Sequence, residues 1–152
     1  MNFAISKRCL MVYELTYCSL AKPSINADEI LAILESAGRN NKKNKVTGCL
    51  LYYNHEFLQI LEGEEKTVKA VQKKIARDPR HSNVRILAEG EKEERTFDHW
   101  TMAFKELTAD EAKTISDLIF ENNFLTFSQL VSKPTHAIRS FWNRAQYMIN
   151  VS

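Results

Sequence analysis

Two stretches of alternating side chains lie next to each other near the middle of the chain. The first, VTGCLLYY, covers residues 46–53, and the second, FLQIL, covers residues 57–61. Only Asn54, His55 and Glu56 separate them. β-Branched and aromatic residues around a short polar break are typical of a β-hairpin. We therefore expect two antiparallel strands joined by a turn at residues 54–56.

A single amide, Gln59, interrupts the apolar second strand of this hairpin. Because successive strand side chains point to opposite faces, Phe57, Gln59 and Leu61 share one face. A buried amide without partners costs about 1–3 kcal/mol. Either the protein satisfies Gln59 internally or a polar ligand does, and the pattern leaves both open.

Before the hairpin, the pattern predicts a strand at residues 12–18 and then a helix. Asn26 is a suitable N-cap, with Glu29 three residues later. The predicted helix ends near Gly38, and the polar residues 39–45 form an exit loop. Its apolar stripe has helical spacing and consists of Ile30, Ile33, Leu34 and Ala37.

After the hairpin, a second helix begins at residues 63–65, where acidic side chains suit a helix N-terminus. Asp78 and Pro79 end it, because proline cannot continue a helix. A fourth strand is predicted at residues 83–90 and a fifth at residues 97–104.

The order β-α-β-β-α-β-β begins with the pattern of a ferredoxin-like fold. We therefore predict an α+β protein with a mixed sheet and two helices on one face. Strand one is expected beside strand three as a parallel neighbour, so that Tyr17 and Gln59 meet on the helix-facing side. The pattern does not say where strand five lies. The opposite face is expected to carry Leu50, Tyr52, Leu58 and Ile60.

Two C-terminal helices are predicted to cover that opposite face. The first is capped by Thr108, with Glu111 at the capping-box position. The second begins near Pro134. The predicted division is a poorly ordered leader at residues 1–10, a domain at residues 11–106 and a helical extension at residues 107–152.

Composition adds few constraints. The chain has 152 residues, of which 44% are hydrophobic and 26% charged, as in ordinary globular domains. A net charge of +2 predicts neither nucleic-acid nor membrane binding. Cys9, Cys18 and Cys49 have no metal-ligand spacing and fit buried thiols in a reducing compartment. No run of residues has the length of a membrane span or the character of a signal peptide, so we expect a cytoplasmic protein.

No catalytic motif stands out. The sequence contains no glycine-rich phosphate loop and no G-x-S-x-G or H-E-x-x-H pattern. The four histidines, at positions 55, 81, 99 and 136, lack the spacing of metal ligands. We therefore expect no metal site.

Besides Gln59, two polar pairs are candidates for a binding site. Asn40 and Asn41 suit a helix C-cap, but paired amides also suit a flat heterocycle with donors and acceptors. Arg80 and His81 are explained by surface charge or by a phosphate contact. Together the three features outline a slot between the two helices that suits a nucleotide-like cofactor.

Six stretches, taken together and in this order, resemble the BLUF family of blue-light sensors that use flavin. The most specific of them is FLQ-x-LEG, with RNN upstream. The resemblance covers about residues 12–105. The six are LTYCSLA (15–21), ILAILESAGRNN (30–41), VTGCLLYY (46–53), FLQILEG (57–63), IARDPRHSNV (75–84) and FDHWTMAF (97–104).

The resemblance implies a role for individual residues. Tyr17 falls at the position of the photoactive tyrosine and Gln59 at that of the switching glutamine. Asn41, together with Asn40, falls where amides bind the O4 and N3 edge of the isoalloxazine ring. Trp100 and Met102 correspond to the partly conserved pair on strand five; how they are oriented relative to the flavin is not implied, and we include them as part of the switch.

The remaining cofactor contacts implied by the resemblance lie on both helices. Ile33 and Ile75 correspond to the apolar residues that clamp the ring. Arg80 and His81 correspond to a cationic pair near the ribityl and phosphate end, with Lys74 assisting. Two positions depart from the relatives: Ala37 replaces a serine found in some, and Arg39 replaces a histidine found in others.

The function implied by the resemblance is that of a photoreceptor without catalytic turnover. The expected cofactor is FAD, with FMN or riboflavin as alternatives. Excited flavin takes an electron and a proton from Tyr17 through Gln59, which is left rotated or tautomerised with a stronger hydrogen bond to flavin O4. The output is an altered contact, either in a homo-oligomer (a dimer or a larger ring) or with an unidentified protein partner.

Two other functions compete with this one. A small ferredoxin-like hydrolase of phosphate esters or acyl phosphates would use Arg80, His81 and the asparagine pair, although no nucleophile or metal cluster is apparent. A ligand-free adaptor would bind a partner through the helical tail, and Gln59 would then be satisfied inside the core.

Overall fold

The computed structural model of the protein describes residues 11–97, 103–106 and 134–150. These residues form one five-stranded sheet with helices on both faces. The expected leader and the expected helix at Thr108 lie outside the described residues. The predicted division of the chain therefore remains a prediction.

The order of strands across the sheet is β4-β1-β3-β2-β5, so β3 is the central strand. The first four strands have the ferredoxin-like order, as predicted, and β5 adds to the edge formed by β2, parallel to it. The elements in chain order are β1 (Val12–Ala21), α1 (Ala27–Lys43), β2 (Thr47–Tyr53), β3 (Glu56–Gly63), α2 (Glu65–Arg77), β4 (His81–Lys92), β5 (Ala103–Glu106) and α3 (His136–Asn150).

Strands β1 and β3 are antiparallel, so the prediction of parallel neighbours is wrong. The helical crossover through α1 returns β2 in the direction of β1, and the hairpin then reverses β3. The predicted meeting of Tyr17 and Gln59 is nevertheless confirmed, because the two residues are directly opposite each other in the register.

The hairpin turn has two residues, Asn54 and His55, rather than three. Both have positive φ angles, 50° and 63°, as a two-residue turn matching the strand twist requires. Glu56 therefore belongs to β3 and pairs with Tyr53. A change of one residue in register moves every side chain of a strand to the other face. Leu50 consequently lies opposite Gln59.

This register corrects the face assigned to two residues. Leu50 and Tyr52 pack with Ile30 and Ile33 of α1, on the helix-facing side, and not on the opposite face. Leu58 and Ile60 do lie on the opposite face, as predicted, in the core that contains α3.

Helix α1 extends to Lys43, whereas the sequence pattern predicted a loop from residue 39 onward. Gly38 has open space around its Cα and does not end the helix. Two lysines in the last turn favour continuation, since cations interact well with a helix C-terminus. The backbone N–H of Asn44 closes the helix by donating to the Asn40 carbonyl, at 3.0 Å. Asn40 and Asn41 are therefore helical residues.

The other boundaries agree more closely with the sequence. Helix α2 is preceded by Glu64 and ends before Asp78, as predicted. Helix α3 begins after Thr135, whose side chain accepts a hydrogen bond from the backbone N–H of Ile138 at 3.1 Å. The described part of strand β5, Ala103–Glu106, extends beyond the predicted end at residue 104, Phe97 is not in a strand, and residues 98–102 lie outside the described residues.

The face covered by α3 has one continuous apolar core, which includes both described cysteines, Cys18 and Cys49. Both thiols are free and buried, and burial raises the pKa of Cys49 to about 12. The prediction of buried thiols is confirmed for these two, while Cys9 lies outside the described residues. The face covered by α1 and α2 carries two separate apolar clusters.

Candidate functional site

A cavity of about 280 Å³ lies between α1 and α2, above β1 and β3. Leu50 and Gln59 lie at its floor together with Tyr17. Most of its wall comes from one face of each helix. Those residues are Ile33, Ser36, Ala37, Asn40, Asn41 and Asn44 on or just beyond α1, and Val71, Lys74, Ile75 and Asp78 on or just beyond α2.

The side chains of Tyr17 and Gln59 are hydrogen bonded to each other at the floor of this cavity. The Tyr17 hydroxyl donates to Gln59 Oε1, and both residues are almost fully buried. Burial raises the pKa of Tyr17 well above its usual range, and the nearby charge of Asp78 raises it further. Tyr17 is therefore a protonated donor throughout the physiological pH range. The antiparallel register of β1 and β3 places the two residues directly opposite each other.

The predicted amides reach the cavity because α1 continues past Gly38. Asn40 and Asn41 both line it, and Asn41 is only 2% exposed. The main-chain carbonyl of Asn41 also accepts a hydrogen bond from the backbone N–H of Val46, at 2.8 Å, which fixes the helix end against the start of the hairpin. The main-chain carbonyls of Asn40 and Asn41 thus accept hydrogen bonds at the end of the helix, and both residues also line the cavity.

Ile33 and Ile75 lie on opposite sides of the cavity. Ile33 packs in the apolar cluster of α1, and Ile75 packs against the cluster of α2. Their side chains therefore provide apolar walls on the two helices, in agreement with the position expected of them.

Arg80 is engaged by Asp78, a residue that the sequence identified only as a helix end. Arg80 Nε lies 3.0 Å from Asp78 Oδ1, and Arg80 Nη2 lies 2.6 Å from Asp78 Oδ2, a two-point contact. The hydrogen bonds from Arg80 hold the pKa of Asp78 below its usual range. The positive charge expected at this end of the cavity is therefore largely neutralised within the protein.

His81 begins β4 and is buried. Its Nδ1 is 2.8 Å from Ser19 Oγ, and its ring packs on Phe57 with centroids 4.7 Å apart. Burial lowers the pKa of His81, an effect that the charge of Asp78 opposes and that of Arg80 reinforces. The side chain is therefore neutral near pH 7, which differs from the expectation of a cationic pair with Arg80.

The structure brings together all the predicted cofactor-binding residues, with Lys74 also on the cavity wall. Trp100 and Met102 lie outside the described residues. Sequence reasoning missed five residues on the cavity: Ser36, Asn44, Leu50, Val71 and Asp78. Helical spacing carried on past Gly38 would have found the first two, since residues 36, 40 and 44 recur every fourth position.

The cavity suits one flat heterocycle with polar edges. Its volume is near the lower end of the range for ligand pockets, about 300–1,000 Å³. Apolar walls on both helices would contact the faces of a ring, while the amides of Gln59, Asn40 and Asn41 offer donors and acceptors to its edge. The residues present therefore fit the ring system of a flavin.

Two further findings concern metal sites and membrane-spanning helices among the described residues. They include no group of three or more histidine, cysteine, aspartate or glutamate side chains placed to hold a metal ion. They also include no helix with the length and apolar character needed to cross a membrane.

Comparison with known sequences points to one family. The family described as BLUF, sensors of blue light using FAD, has a sequence model that matches residues 12–103. The blue light- and temperature-regulated antirepressor BluF of Escherichia coli (strain K12) is 30% identical over 117 residues, covering 77% of this chain and 29% of that protein. Photoactivated adenylate cyclase subunit beta of Euglena gracilis is 35% identical over 89 residues, covering 58% of this chain and 10% of that subunit.

Solved structures agree with the sequence comparisons. A bacterial light-regulated adenylyl cyclase superposes with a TM-score of 0.65 at 31% identity, over 79% of this chain and 35% of that one. The BLUF domain of BlrP1 superposes with a TM-score of 0.76 over 93% of both chains, and at 24% identity it supports the fold alone. The chain thus spans a tenth of the Euglena subunit and less than a third of the antirepressor.

Proposed function

The chain belongs to the BLUF family of sensors of blue light using FAD, and we propose that its photoswitch is the hydrogen-bonded pair of Tyr17 and Gln59. The observation that supports this most directly is the position of the pair. A phenol and a carboxamide are bonded to each other, buried, and exposed only to a cavity lined by further amides.

The residues of the cavity would hold a flavin, which the family description gives as FAD. When bound, a flavin supplies absorption of blue light and an excited state that accepts an electron. Ile33 and Ile75 would contact the two faces of the ring, and the amides of Asn40 and Asn41 would bind its polar edge. The charges of Lys74 and of the Asp78–Arg80 pair would lie toward the remainder of the cofactor, and FMN or riboflavin would use the same ring contacts.

Tyr17 is proposed as the donor of both the electron and the proton. Its raised pKa keeps the phenol protonated in the dark, so no tyrosinate is present to compete. A phenol that has lost an electron is a far stronger acid. Its proton then has a path to Gln59 Oε1, the atom that already accepts its hydrogen bond.

Gln59 is proposed as the element that stores the signal. Its amide presents an acceptor at one end and two donors at the other, with nearly the same shape. Rotation, or a proton shift within the amide, would place a donor where Tyr17 now finds an acceptor. Two hydrogen-bond arrangements can then lie within a few kcal/mol of each other, which is enough for light to change their populations.

We further propose that the output is a change in protein contacts, made with a second copy or with another protein, and that the chain performs no catalytic turnover. The relatives' names point to such coupling: one is a light-regulated antirepressor, and others are photoactivated cyclase subunits. Because this chain spans a small part of each, their activities are not transferred to it.

The hydrolase alternative is less well supported by the same cavity. Arg80 is bound at two points by Asp78, and His81 faces Ser19 and the Phe57 ring. Neither side chain is therefore poised toward a substrate phosphate. A ligand-free adaptor would not explain why several amides line a cavity between the two helices.

The decisive test is the visible spectrum of the purified protein, recorded before and after blue light. We expect a bound flavin and a small, reversible shift of its absorption to longer wavelength. A protein that stays colourless after loading with flavin would defeat the proposal.

Substitution of Tyr17→Phe tests the mechanism. The variant should retain flavin, because the ring contacts remain, but should lose the red-shifted state, because the donor hydroxyl is gone. Tyr13→Phe is the matched control: Tyr13 lies on the same strand and face, but its hydroxyl donates to Glu89 rather than facing the cavity. A normal light response in Tyr17→Phe would refute the assignment.

A further inference from the structure

The face of the sheet opposite the cavity contains a carboxylate with three hydrogen-bond donors and an ion-paired lysine. Glu62 is fully buried in β3, the central strand. Its Oε1 accepts from Thr47 Oγ1 at 2.9 Å and from the backbone N–H of Phe97 at 2.6 Å. Its Oε2 accepts from the backbone N–H of Thr96 at 3.0 Å and lies 2.7 Å from Lys92 Nζ. Each oxygen thus has two partners.

The surrounding charges explain why a carboxylate is stable in this position. Lys92 also lies 2.7 Å from Glu14 Oε1, at ion-pair distance although outside hydrogen-bond geometry, and donates to Thr96 Oγ1 at 2.8 Å. Arg95 donates to Thr47 Oγ1 and to the Glu62 carbonyl. Lys92 therefore lies at ion-pair distance from both acids, while the Arg95 contacts are to a hydroxyl and a main-chain carbonyl, and a buried charge with such partners avoids the cost of isolation.

The position of Glu62 gives these contacts a consequence beyond stability. The chain must pass from β4 at one edge of the sheet to β5 at the other. Thr96 and Phe97 lie on this crossing, and Phe97 packs in the core beneath α3. Glu62 holds both of their backbone N–H groups from the middle of the sheet, three residues after Gln59 on the same strand.

We propose that Glu62 is a positioning residue for the light response, which fixes the β4–β5 crossing to the strand that carries the switch. A shift of β3 caused by a new arrangement at Gln59 is passed by the carboxylate to Thr96 and Phe97, and from there toward β5. This inference rests on the proposed photoreceptor function, and it adds a route through the opposite face of the sheet.

Glu62→Gln removes this link with little change in size. An amide offers one acceptor and one donor group, so whichever way it is turned, two of the four partners of Glu62 meet an N–H instead of an oxygen. We expect the flavin and the size of its red shift to be retained, because Gln59 and the cavity are on the other face.

The readouts are amide hydrogen exchange at Thr96 and Phe97, in the dark and under light, and the rate of return to the dark spectrum. In the natural protein, illumination should change exchange at these two amides. In Glu62→Gln, their dark protection should fall about tenfold or more, the light-dependent change should disappear, and the return rate should change by about tenfold, the effect of losing one hydrogen bond to a charged group.

Glu14→Gln is the matched control, because Glu14 pairs with the same lysine and contacts neither backbone N–H. It should leave exchange at Thr96 and Phe97 and the return rate within about twofold of the natural protein, since the hydrogen bonds from these two amides to Glu62 are untouched and Lys92 keeps Glu62 as its partner. If Glu62→Gln and Glu14→Gln change amide exchange and the return rate equally, the cause is the loss of a negative charge from this group of side chains, and the proposal is overturned. A Glu62→Gln variant with unchanged readouts would overturn it as well.

A second variant covers the case in which Glu62→Gln does not fold. Thr47→Val removes one donor to Glu62 Oε1 at almost constant shape, and should change the same readouts in the same direction by a smaller factor; no change would overturn the proposal. A natural protein that red-shifts while the two amides are unaffected by light contradicts this inference alone, whereas the absence of a red shift contradicts the proposed function.

Discussion

The two faces of the central strands β1 and β3 differ in packing. On one face, Tyr17 and Gln59 border a cavity that separates two apolar clusters. On the other face, the residues next to them in sequence, among them Cys18, Leu58 and Ile60, form one continuous core beneath α3. Alternation of side chains along a strand allows both.

Buried polar groups differ between the faces in the same way. Glu62 has three hydrogen-bond donors and an ion-paired lysine that fix it in one arrangement, whereas a glutamine amide such as that of Gln59 can be bonded in two ways of similar shape. A switch needs two states of similar energy, and a scaffold needs one. The comparison shows how a small sheet keeps the two apart: it assigns them to opposite sides of one strand.

The largest expected effect on stability is on the packed face. Leu58→Ala should lower the free energy of unfolding by about 2–5 kcal/mol, because the surrounding core cannot fill the space. In protein prepared without flavin, Ile33→Ala should cost clearly less, because the Ile33 side chain borders the cavity and is not packed by protein on all sides. Urea unfolding of both variants measures the difference, and equal losses would contradict the comparison.

The next effect concerns the polar pair. Gln59→Leu should lower the free energy of unfolding by about 1–3 kcal/mol, because the buried Tyr17 hydroxyl loses its acceptor. Combining it with Tyr17→Phe should cost less than the sum of the two single changes, since the pair acts together. Denaturant unfolding of all four proteins gives the coupling. Gln59→Leu should also abolish the red shift, and a neutral or stabilising effect would favour the adaptor alternative.

A smaller effect follows from the buried imidazole at the start of β4. Burial lowers the pKa of His81 below its usual 6.5, so the folded state favours the neutral ring. As the pH falls below about 6.5, the unfolded chain takes up this proton first and stability decreases until the folded-state pKa is passed. His81→Gln should make the stability curve flatter between pH 7 and pH 5. A curve of unchanged slope would show that His81 does not titrate differently in the two states.

The smallest effect is expected at the mouth of the cavity. Asp78→Asn should lower the free energy of unfolding at pH 7 by about 1 kcal/mol or less, as for partly exposed ion pairs. Because Arg80 lowers the pKa of Asp78, the contribution is present above the unfolded-state pKa and is lost as the pH falls through the lower folded-state value. Thermal unfolding of both proteins should therefore converge in acid, and a constant difference would contradict this account.

The sequence predicted which residues form the site more accurately than the secondary structure and strand face in which they lie. Tyr17 and Gln59 were identified from a resemblance and from one amide in an apolar strand, and their contact follows from the order of elements. Asn40 and Asn41 were also identified, but were placed in a loop. They are helical because glycine and asparagine weaken a helix only slightly and the lysines that follow support it. The difference of one residue in the hairpin turn was enough to assign Leu50 to the wrong face.

The ionic group on the opposite face was not predicted at all. Glu14 and Glu62 stand at alternating positions that, in isolation, read as solvent-facing carboxylates. Both are buried, Thr96 and Phe97 lie against Glu62, and Lys92 arrives from a strand distant in sequence. Local patterns carry no information about such distant partners.

The order of helices and strands, the family and the residues proposed for the switch were predicted from the sequence, because periodicity, caps and short motifs are local properties. The hairpin register and the partners of Glu62 were decided only by the tertiary structure. Each of these depends on which distant backbone or side-chain groups can satisfy a buried hydrogen bond, and that choice is made when the chain packs.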